Sequence, residues 1–187
     1  MDKTPRLKLS AKGLKFIAKW EGFRAALYYD IAGLPTIGYG HLIPWNQFDA
    51  WHHRILTEPT ARKLLAIDVG TAESAVHRLV NVALTQNQFD ALVSFVFNLG
   101  SGAFQRSTLL RRINQKEFKE AAEEFQRWNK ASGRVSSGLT MRRAQEKLVF
   151  LTPLSLEESI EARKGPKDES RPHRPQRTLS LSNPRRT

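Results

Sequence analysis

Residues 27–42 place strand-forming side chains between turn residues, and this segment restricts the fold more than any other. The side chains that favour extended structure are Tyr28, Tyr29, Ile31, Ile37 and Tyr39. The residues that favour tight turns are Gly33, Pro35, Gly38 and Gly40. The pattern predicts short strands joined by tight turns, and therefore a small sheet near the N-terminus.

Helical periodicity lies on both sides of this segment. Ser10 is a typical N-cap for a helix whose apolar positions continue to Glu21, and Gly22 suits its C-terminus. Thr57, followed by an acidic residue and proline, predicts the start of a helix that runs to about residue 80. That helix would exceed twenty residues, and Gly70 marks a point where it could break or kink.

The second half of the chain shows only helical patterns. Thr85 and Gln88 have the spacing of a capping box, and apolar residues follow on one face. Shorter helical patterns cover residues 107–113, 116–128 and about 139–151, with Asn114, Gly133 and Gly138 between them. We therefore expect the second half to be all helical.

These elements predict an α+β fold that is mainly helical and has two lobes. The expected folded domain covers residues 1–151, with a small sheet lobe at about 22–56, a long connecting helix at about 57–80 and a helical lobe at about 81–151. From Thr152 onward Pro, Ser, Arg and Lys dominate, and we expect residues 152–187 to form a basic disordered tail.

The net charge of +12 indicates an anionic partner, because a field of that size attracts polyanions. Nucleic acid and bacterial cell wall both qualify, and charge alone does not choose between them. The chain contains no cysteine, which excludes disulfides and thiolate chemistry, and its five histidines lack metal-ligand spacing. We predict neither a metal site nor a cofactor.

Charged residues occur throughout the N-terminal segment, which lacks the apolar run of a secretory signal. No window reaches the length of apolar sequence that crosses a bilayer. We therefore expect synthesis in the cytoplasm and no membrane anchor.

Glu21, Asp30 and Thr36 surround the turn-rich segment and suggest glycosidic bond cleavage. Such cleavage uses one carboxyl group that protonates the leaving oxygen and a second that stabilises positive charge or activates water. Glu21 falls at the end of a predicted apolar stripe, where desolvation would raise its pKa and favour the acid form. Asp30 alone could be a turn former, and Thr36 alone an ordinary strand residue.

Three blocks of sequence resemble the phage-type lysozymes, glycoside hydrolase family 24, which include endolysins. They are EGFRAALYYDIAGLPTIGYGH from Glu21, LTQNQFDALVSFVFNLGSGAF from Leu84, and the group STLLRRIN, FQRWNKASG and GLTMRRAQEKLVF between Ser107 and Phe150. The resemblance implies hydrolysis of the β-1,4 bond between N-acetylmuramic acid and N-acetylglucosamine in peptidoglycan. It also implies Glu21 as general acid, Asp30 as the ionised partner and Thr36 as the residue that positions water.

The resemblance further implies contacts to the glycan by six residues: His41, Leu42, Phe97, Asn98, Arg127 and Trp128. For His41, a hydrogen-bonded scaffold role is an alternative. The implied setting is lysis of a bacterial host, in which a monomer made in the cytoplasm acts on the wall in the periplasm after a holin permits its export. Arg171, Arg174, Arg177, Arg185 and Arg186 could add binding to an anionic outer-membrane surface.

Two other functions are compatible with parts of this pattern. A lytic transglycosylase would cleave the same bond with the acid alone, whereas the presence of Asp30 and Thr36 favours hydrolysis. A basic nucleic-acid-binding protein would explain the charge. However, the chain shows no zinc spacing or RNA-recognition signature, so we expect no nucleic-acid partner.

Overall fold

The first helix, α1 (Ala11–Glu21), has both of the ends that the sequence predicts. The Ser10 side chain accepts a hydrogen bond from the backbone N–H of Gly13, and Gly22 follows the last turn at a φ of 73°. The N–H of Gly22 donates to the carbonyl of Ala18 at 3.2 Å. These contacts come from a computed structural model that describes residues 6–30 and 32–154, all within the compact unit Met1–Ser155.

The predicted sheet is confirmed as three antiparallel strands, β1 (Arg24–Tyr29), β2 (Pro35–Gly38) and β3 (His41–Leu42), in that spatial order. Tyr28 pairs with Thr36, and Thr36 pairs with Leu42. Directly paired residues point to the same face of a sheet, so these three side chains form one row. A 3₁₀ turn (Trp45–Gln47) and the short helix α2 (Phe48–Trp51) follow.

The long connecting helix is instead two helices, α3 (Glu58–Asp68) and α4 (Gly70–Leu79). Thr57 caps α3 as predicted, with its side chain accepting the N–H of Thr60. Val69 separates the two helices at a ψ of −15°, although backbone hydrogen bonds from Val69 to Leu65 and from Glu73 to Val69 continue across the junction. The break is therefore confined to Val69, the one residue between the two helices.

Helix α5 (Gln86–Leu99) lies at the centre of the helical lobe and packs against α1, α4 and α9 (Ser137–Leu151). Its predicted capping box is present, because Thr85 and Gln88 each accept a backbone N–H of the other. Its residues from Phe89 to Val96 are all buried. Between α5 and α9 lie the shorter helices α6 (Ser101–Gln105), α7 (Thr108–Asn114) and α8 (Phe118–Glu124), and a 3₁₀ turn (Phe125–Arg127).

The expectation that the second half is all helical is wrong at residues 130–135. There β4 (Lys130–Ala131) pairs with β5 (Arg134–Val135) in an antiparallel hairpin. Ser132 and Gly133 form its two-residue loop at φ values of 48° and 77°, the pair of positive values that matches the twist of adjoining strands. Gly138, which we expected between helical segments, lies inside α9.

Helix α9 ends at Leu151, where the sequence predicts the change to a basic tail. Residues 155–187, which contain nearly all of that tail, lie outside the described residues. Among residues 6–30 and 32–154, no helix has the length and apolar content needed to cross a bilayer. The described part confirms the predicted fold class, α+β with a small sheet and a mainly helical remainder.

Gly13 marks a close approach between α1 and α5, and replacing it with alanine should destabilise the protein. The added Cβ would lie 2.6 Å from Leu9 Cδ1 and 2.7 Å from Asp90 Cγ. Asp90 cannot easily move, because its carboxylate accepts hydrogen bonds from both the backbone and the hydroxyl of Ser10. We expect a loss of about 1–3 kcal/mol in the free energy of unfolding, measured by urea denaturation.

Gly70→Ala is the matched control, since the new Cβ meets nothing within 4 Å at that helical position. There the better helix propensity of alanine should leave stability unchanged or raise it by up to about 1 kcal/mol. Equal stability of the Gly13 and Gly70 variants would contradict the close packing of α1 on α5.

Candidate active site

Glu21 is the last residue of α1, and its carboxylate points to α9. Oε1 accepts a hydrogen bond from Nη1 of Arg142 at 2.9 Å. The buried, desolvated setting expected for Glu21 is wrong, because 23% of its side chain is exposed and a guanidinium binds its carboxylate. Arg142 is the more deeply buried partner of this ion pair, since only 5% of its side chain is exposed.

Arg142 belongs to a group of polar side chains between α5 and α9, all buried except the partly exposed Asn98, which we call the buried ion cluster. Its members are Ser94, Asn98, Arg142, Arg143 and Glu146. Oε1 of Glu146 accepts the hydroxyl of Ser94 at 2.7 Å and Nε of Arg142 at 3.2 Å. Nη1 of Arg143 lies 3.0 Å from Oε2 of Glu146, and its Nη2 donates to Oδ1 of Asn98 at 2.5 Å. The cluster therefore fixes the guanidinium that binds Glu21.

Burial dominates the electrostatics of this cluster. It lowers the pKa of Arg143 to about 10, although Glu146 acts in the opposite direction. It raises the pKa of Glu146, a shift that Arg143 and Arg142 oppose. Each charged group thus depends on its neighbours for the stabilisation that water would otherwise supply.

Asp30 follows β1 and organises the turn that leads to β2. Its Oδ1 accepts the backbone N–H of Ala32 at 2.9 Å and that of Leu34 at 2.8 Å. Its backbone carbonyl accepts the N–H of Gly33 at 3.0 Å. Asp30 therefore has the turn-forming role that its residue type favours, and these bonds hold its carboxylate in one orientation.

Thr36 lies on β2 and is 2% exposed. Its hydroxyl donates to the carbonyl of Leu34 at 3.0 Å, within the turn that Asp30 organises. Because that bond uses the only hydroxyl proton, the Thr36 oxygen can act only as an acceptor towards a further group. A water molecule that contacts it must therefore donate.

Tyr28 connects the two acidic side chains electrostatically. Burial raises the pKa of its phenol, Arg24 opposes this shift, and the carboxylates of Asp30 and Glu21 both add to it. Since Tyr28 pairs directly with Thr36, the side chains of Tyr28 and Thr36 lie on the same face of the sheet.

The sequence profile described as Phage lysozyme matches residues 18–146, a range that contains Glu21, Asp30, Thr36 and every member of the buried ion cluster. The chain belongs to the phage lysozyme family. Its relatives include the endolysin of Bacillus phage B103, 41% identical over 84% of this chain, and the endolysin of Salmonella phage P22, 38% identical over 78% of this chain and 99% of the relative.

Solved structures agree with this membership. The muramidase domain of SpmX from Asticaccaulis excentricus is 41% identical, with a TM-score of 0.71 over 79% of this chain and all of that domain. A mutant P22 lysozyme is 36% identical, with a TM-score of 0.72 over 78% of this chain and 99% of that one. The chain spans 59% of the length of the B103 endolysin and 55% of that of Bacillus phage PZA.

Within this phage lysozyme fold, His41 and Leu42 point in different directions along β3. Nδ1 of His41 lies 2.9 Å from a carboxylate oxygen of Asp68 on α3, and its ring is 5.9 Å from that of Trp51. Leu42 is 51% exposed and belongs to the row that contains Thr36. Leu42 therefore lies on the same sheet face as Thr36, whereas the His41 side chain contacts α3.

The other four predicted substrate contacts lie on the helical lobe. Asn98 belongs to the buried ion cluster, and Phe97 borders a small cavity with residues of α4 and α6. Arg127 is largely exposed and lies 3.5 Å from Glu124, whereas Trp128 packs edge-on against Phe95 with ring centroids 5.7 Å apart. Only Asn98 has a described contact with the group that holds Glu21.

Arg142 and Glu146 are not among the predicted site residues. Both lie within the block GLTMRRAQEKLVF, where Leu139, Arg143, Glu146 and Phe150 recur at helical spacing. Charged residues at positions of an otherwise apolar stripe are a signal that they are buried and paired. That signal could have identified the cluster, although it does not name Glu21 as the partner.

Proposed function

We propose that this chain hydrolyses the β-1,4 bond between N-acetylmuramic acid and N-acetylglucosamine in bacterial peptidoglycan. The observation that carries the proposal is the turn organised by the Asp30 carboxylate, in which the Thr36 hydroxyl bonds the Leu34 carbonyl, together with a Glu21 carboxylate oriented by Arg142. Membership of the phage lysozyme family supports it, as do relatives named endolysins and a similar domain named a muramidase.

Glu21 is the proposed general acid. When the glycan binds, its carboxyl group gives a proton to the glycosidic oxygen, and Arg142 then stabilises the carboxylate that remains. Because the buried ion cluster fixes Arg142, the acid keeps one orientation during proton transfer. Positioning of this kind lowers the entropic part of the barrier.

Asp30 and Thr36 act on the other reactant, the water molecule. The carboxylate of Asp30 stabilises the positive charge that develops on the sugar ring. A water molecule that donates one proton to Thr36 and the other to Asp30 directs its lone pair away from both. That lone pair attacks the anomeric carbon, and the proton that the water donates to Asp30 passes to this carboxylate as the new C–O bond forms.

The remaining residues have less direct roles in this proposal. Leu42 borders the glycan from the sheet, while Phe97, Asn98, Arg127 and Trp128 border it from the helical lobe. His41 supports β3 through Asp68. The substrate lies in the periplasm in this view, so export through a holin remains part of the proposal, as does action as a monomer.

Substituting Thr36 with valine tests the proposed role in positioning water. Valine keeps the side-chain shape and the β propensity but cannot accept a hydrogen bond, so the hydrolysis rate should fall on the order of a hundredfold. The rate is measured as the release of reducing ends from purified peptidoglycan. Thr108→Val, at the start of α7, is the control and should keep the normal rate.

Mass spectrometry of the released muropeptides tests the reaction type. Hydrolysis yields reducing N-acetylmuramic acid, whereas a lytic transglycosylase yields an anhydro product that is lighter by one water. We expect only the hydrated product from the unmodified chain. A mainly anhydro product would replace this proposal with the transglycosylase, and no cleavage at all would end both.

A further inference from the structure

Three aromatic side chains of the sheet lobe form a surface cluster, which we call the aromatic platform. They are Tyr29 at the end of β1, Trp45 in the 3₁₀ turn that follows β3, and Phe48 at the start of α2. The ring centroid of Tyr29 lies 6.5 Å from those of Trp45 and Phe48, which are 5.7 Å apart. The planes of each pair are no more than 30° from parallel.

The platform leaves much of its ring area in contact with water. Its centroids form a nearly equilateral triangle, so no ring lies between the other two. Trp45 is 61% exposed and Tyr29 is 55% exposed, while Phe48 is partly exposed and packs against the parallel ring of His52. Several large apolar side chains exposed together mark an interaction surface.

The platform is separate from the row of side chains that contains Thr36. Tyr28 pairs with Thr36, whereas Tyr29 pairs with Pro35. Successive side chains of a strand point to opposite faces of the sheet. Tyr29 therefore lies on the face opposite to Thr36 and Leu42, and a ligand on the platform does not occupy the candidate active site.

The charge around the platform favours an uncharged ligand. Residues 25–53 contain neither lysine nor arginine, although the chain has a net charge of +12, and their acidic residues are Asp30 and Asp49. Arg54, the next basic residue, stacks on Trp51 instead. Aromatic surfaces that bind nucleic acid combine their rings with cations, and binding to anionic membranes also requires cations.

Polar groups adjoin the rings at Asn46 and Gln47, which are both exposed. Their amides can donate and accept hydrogen bonds. A pyranose ring has C–H groups on its faces and hydroxyl or acetamido groups around its edge. The C–H groups carry a small positive partial charge, which suits the negative face of an aromatic ring. The platform therefore fits a sugar ring that lies flat on Trp45 or Tyr29.

We propose that the aromatic platform is a second glycan-binding surface, on which the uncharged N-acetylglucosamine rings of a peptidoglycan strand stack. The choice of this glycan rests on the proposed function, in which the chain cleaves the same polymer. Binding outside the active site keeps the enzyme on the wall between cleavage events, which raises the effective concentration of glycan at the active site.

Titration with chitohexaose, a neutral oligomer of β-1,4-linked N-acetylglucosamine, tests the stacking. In heteronuclear NMR spectra of Glu21→Gln, which prevents turnover in the proposed mechanism, the indole N–H of Trp45 is identified by its absence in Glu21→Gln/Trp45→Phe. This signal should shift to saturation. The dissociation constant should change less than about twofold with salt, because the ligand is uncharged. An unmoved Trp45 signal would overturn the proposal.

Cosedimentation with purified cell walls measures the contribution of the platform to binding. In the Glu21→Gln background, Trp45→Ala should weaken binding about tenfold, since a few aromatic anchors supply most of the affinity of such a surface. Trp45→Phe keeps a ring and should retain most of the binding. Leu148→Ala removes a side chain that is 67% exposed on α9 and is the matched control. Equal loss in Trp45→Ala and Leu148→Ala would overturn the proposal.

Other occupants of the platform would give different results. Trp45→Ala might lose binding to a DNA duplex or to phosphatidylcholine vesicles while it keeps wall binding. Either result would replace the glycan, with nucleic acid or with a bilayer surface. A dimer of the unmodified chain that Trp45→Ala converts to monomers would make the platform a self-association surface instead.

Activity distinguishes this surface from the proposed catalytic site. Trp45→Ala should cleave soluble peptidoglycan fragments at the normal rate and insoluble walls more slowly. An equal loss on both substrates, with normal thermal unfolding, would overturn the assignment of a separate surface. An unmodified chain that cleaves neither substrate would end the proposed hydrolysis, and the chitohexaose titration would still decide whether the platform binds glycan.

Discussion

Replacing Glu21 with glutamine is expected to lower the rate of peptidoglycan hydrolysis by about a thousandfold. A carboxamide cannot donate a proton with the strength that departure of the glycosidic oxygen requires. Its oxygen can still accept the hydrogen bond from Arg142, so the ends of α1 and α9 should remain in place. The measurement is the clearing of permeabilised Gram-negative cells, together with reducing-end release from purified walls.

Glu120→Gln is the matched control for this change. Glu120 is exposed on α8 and away from the catalytic candidates, so its variant loses the same charge without losing the proposed acid. We expect the control to clear cells at the normal rate. Normal clearing by Glu21→Gln as well would show that another group supplies the proton, and the catalytic assignment would fail.

Local hydrogen bonding explains why several helix starts could be predicted from the sequence. The side chains of Ser10, Thr57 and Thr85 each accept an N–H three residues ahead. Such a bond depends on neighbouring residues, so a short stretch of sequence contains the information needed. The capping box at Thr85 adds a second local bond and gives an even clearer signal.

The predicted secondary structure differs from the observed one where the local sequence pattern is compatible with two structures. The periodicity from Thr57 onward favours one long helix with a possible break at Gly70, and in the structure the break comes one residue earlier, at Val69. Residues 130–135 have a loop of Ser132 and Gly133 that suits a hairpin, yet the surrounding helical patterns favoured a simple break. Two-residue strands contain too few side chains to show an alternating pattern.

In the candidate active site, contacts between residues close in sequence were predictable, whereas the contact between residues far apart in sequence was not. Spacing within residues 21–36 indicated the two acids and the threonine, and Asp30 forms its turn with its own neighbours. The partner of Glu21 is Arg142, 121 positions away in sequence. Without knowledge of that contact, an apolar helix face predicts a desolvated acid rather than one bound by a guanidinium.

Substituting Glu146 with alanine should produce the largest loss of stability among these changes, about 3–5 kcal/mol in the free energy of unfolding. Glu146 is fully buried, and its removal leaves Arg142 and Arg143 without the carboxylate that both approach within 3.2 Å. The cost of an unpaired buried charge adds to that of the cavity. Urea denaturation followed by circular dichroism measures the effect.

Glu123→Ala supplies the contrast, because it also removes a carboxylate that pairs with a residue of α9. Glu123 contacts Lys147, but 66% of its side chain is exposed, and water can replace the ion pair at a cost of about 0–1 kcal/mol. Glu146→Gln keeps the side-chain volume and an acceptor for Ser94, so its loss should fall between the two alanine variants. If Glu146→Ala were no less stable than Glu123→Ala, the two arginines would have to reach water, and the fixed position of Arg142 beside Glu21 would be incorrect.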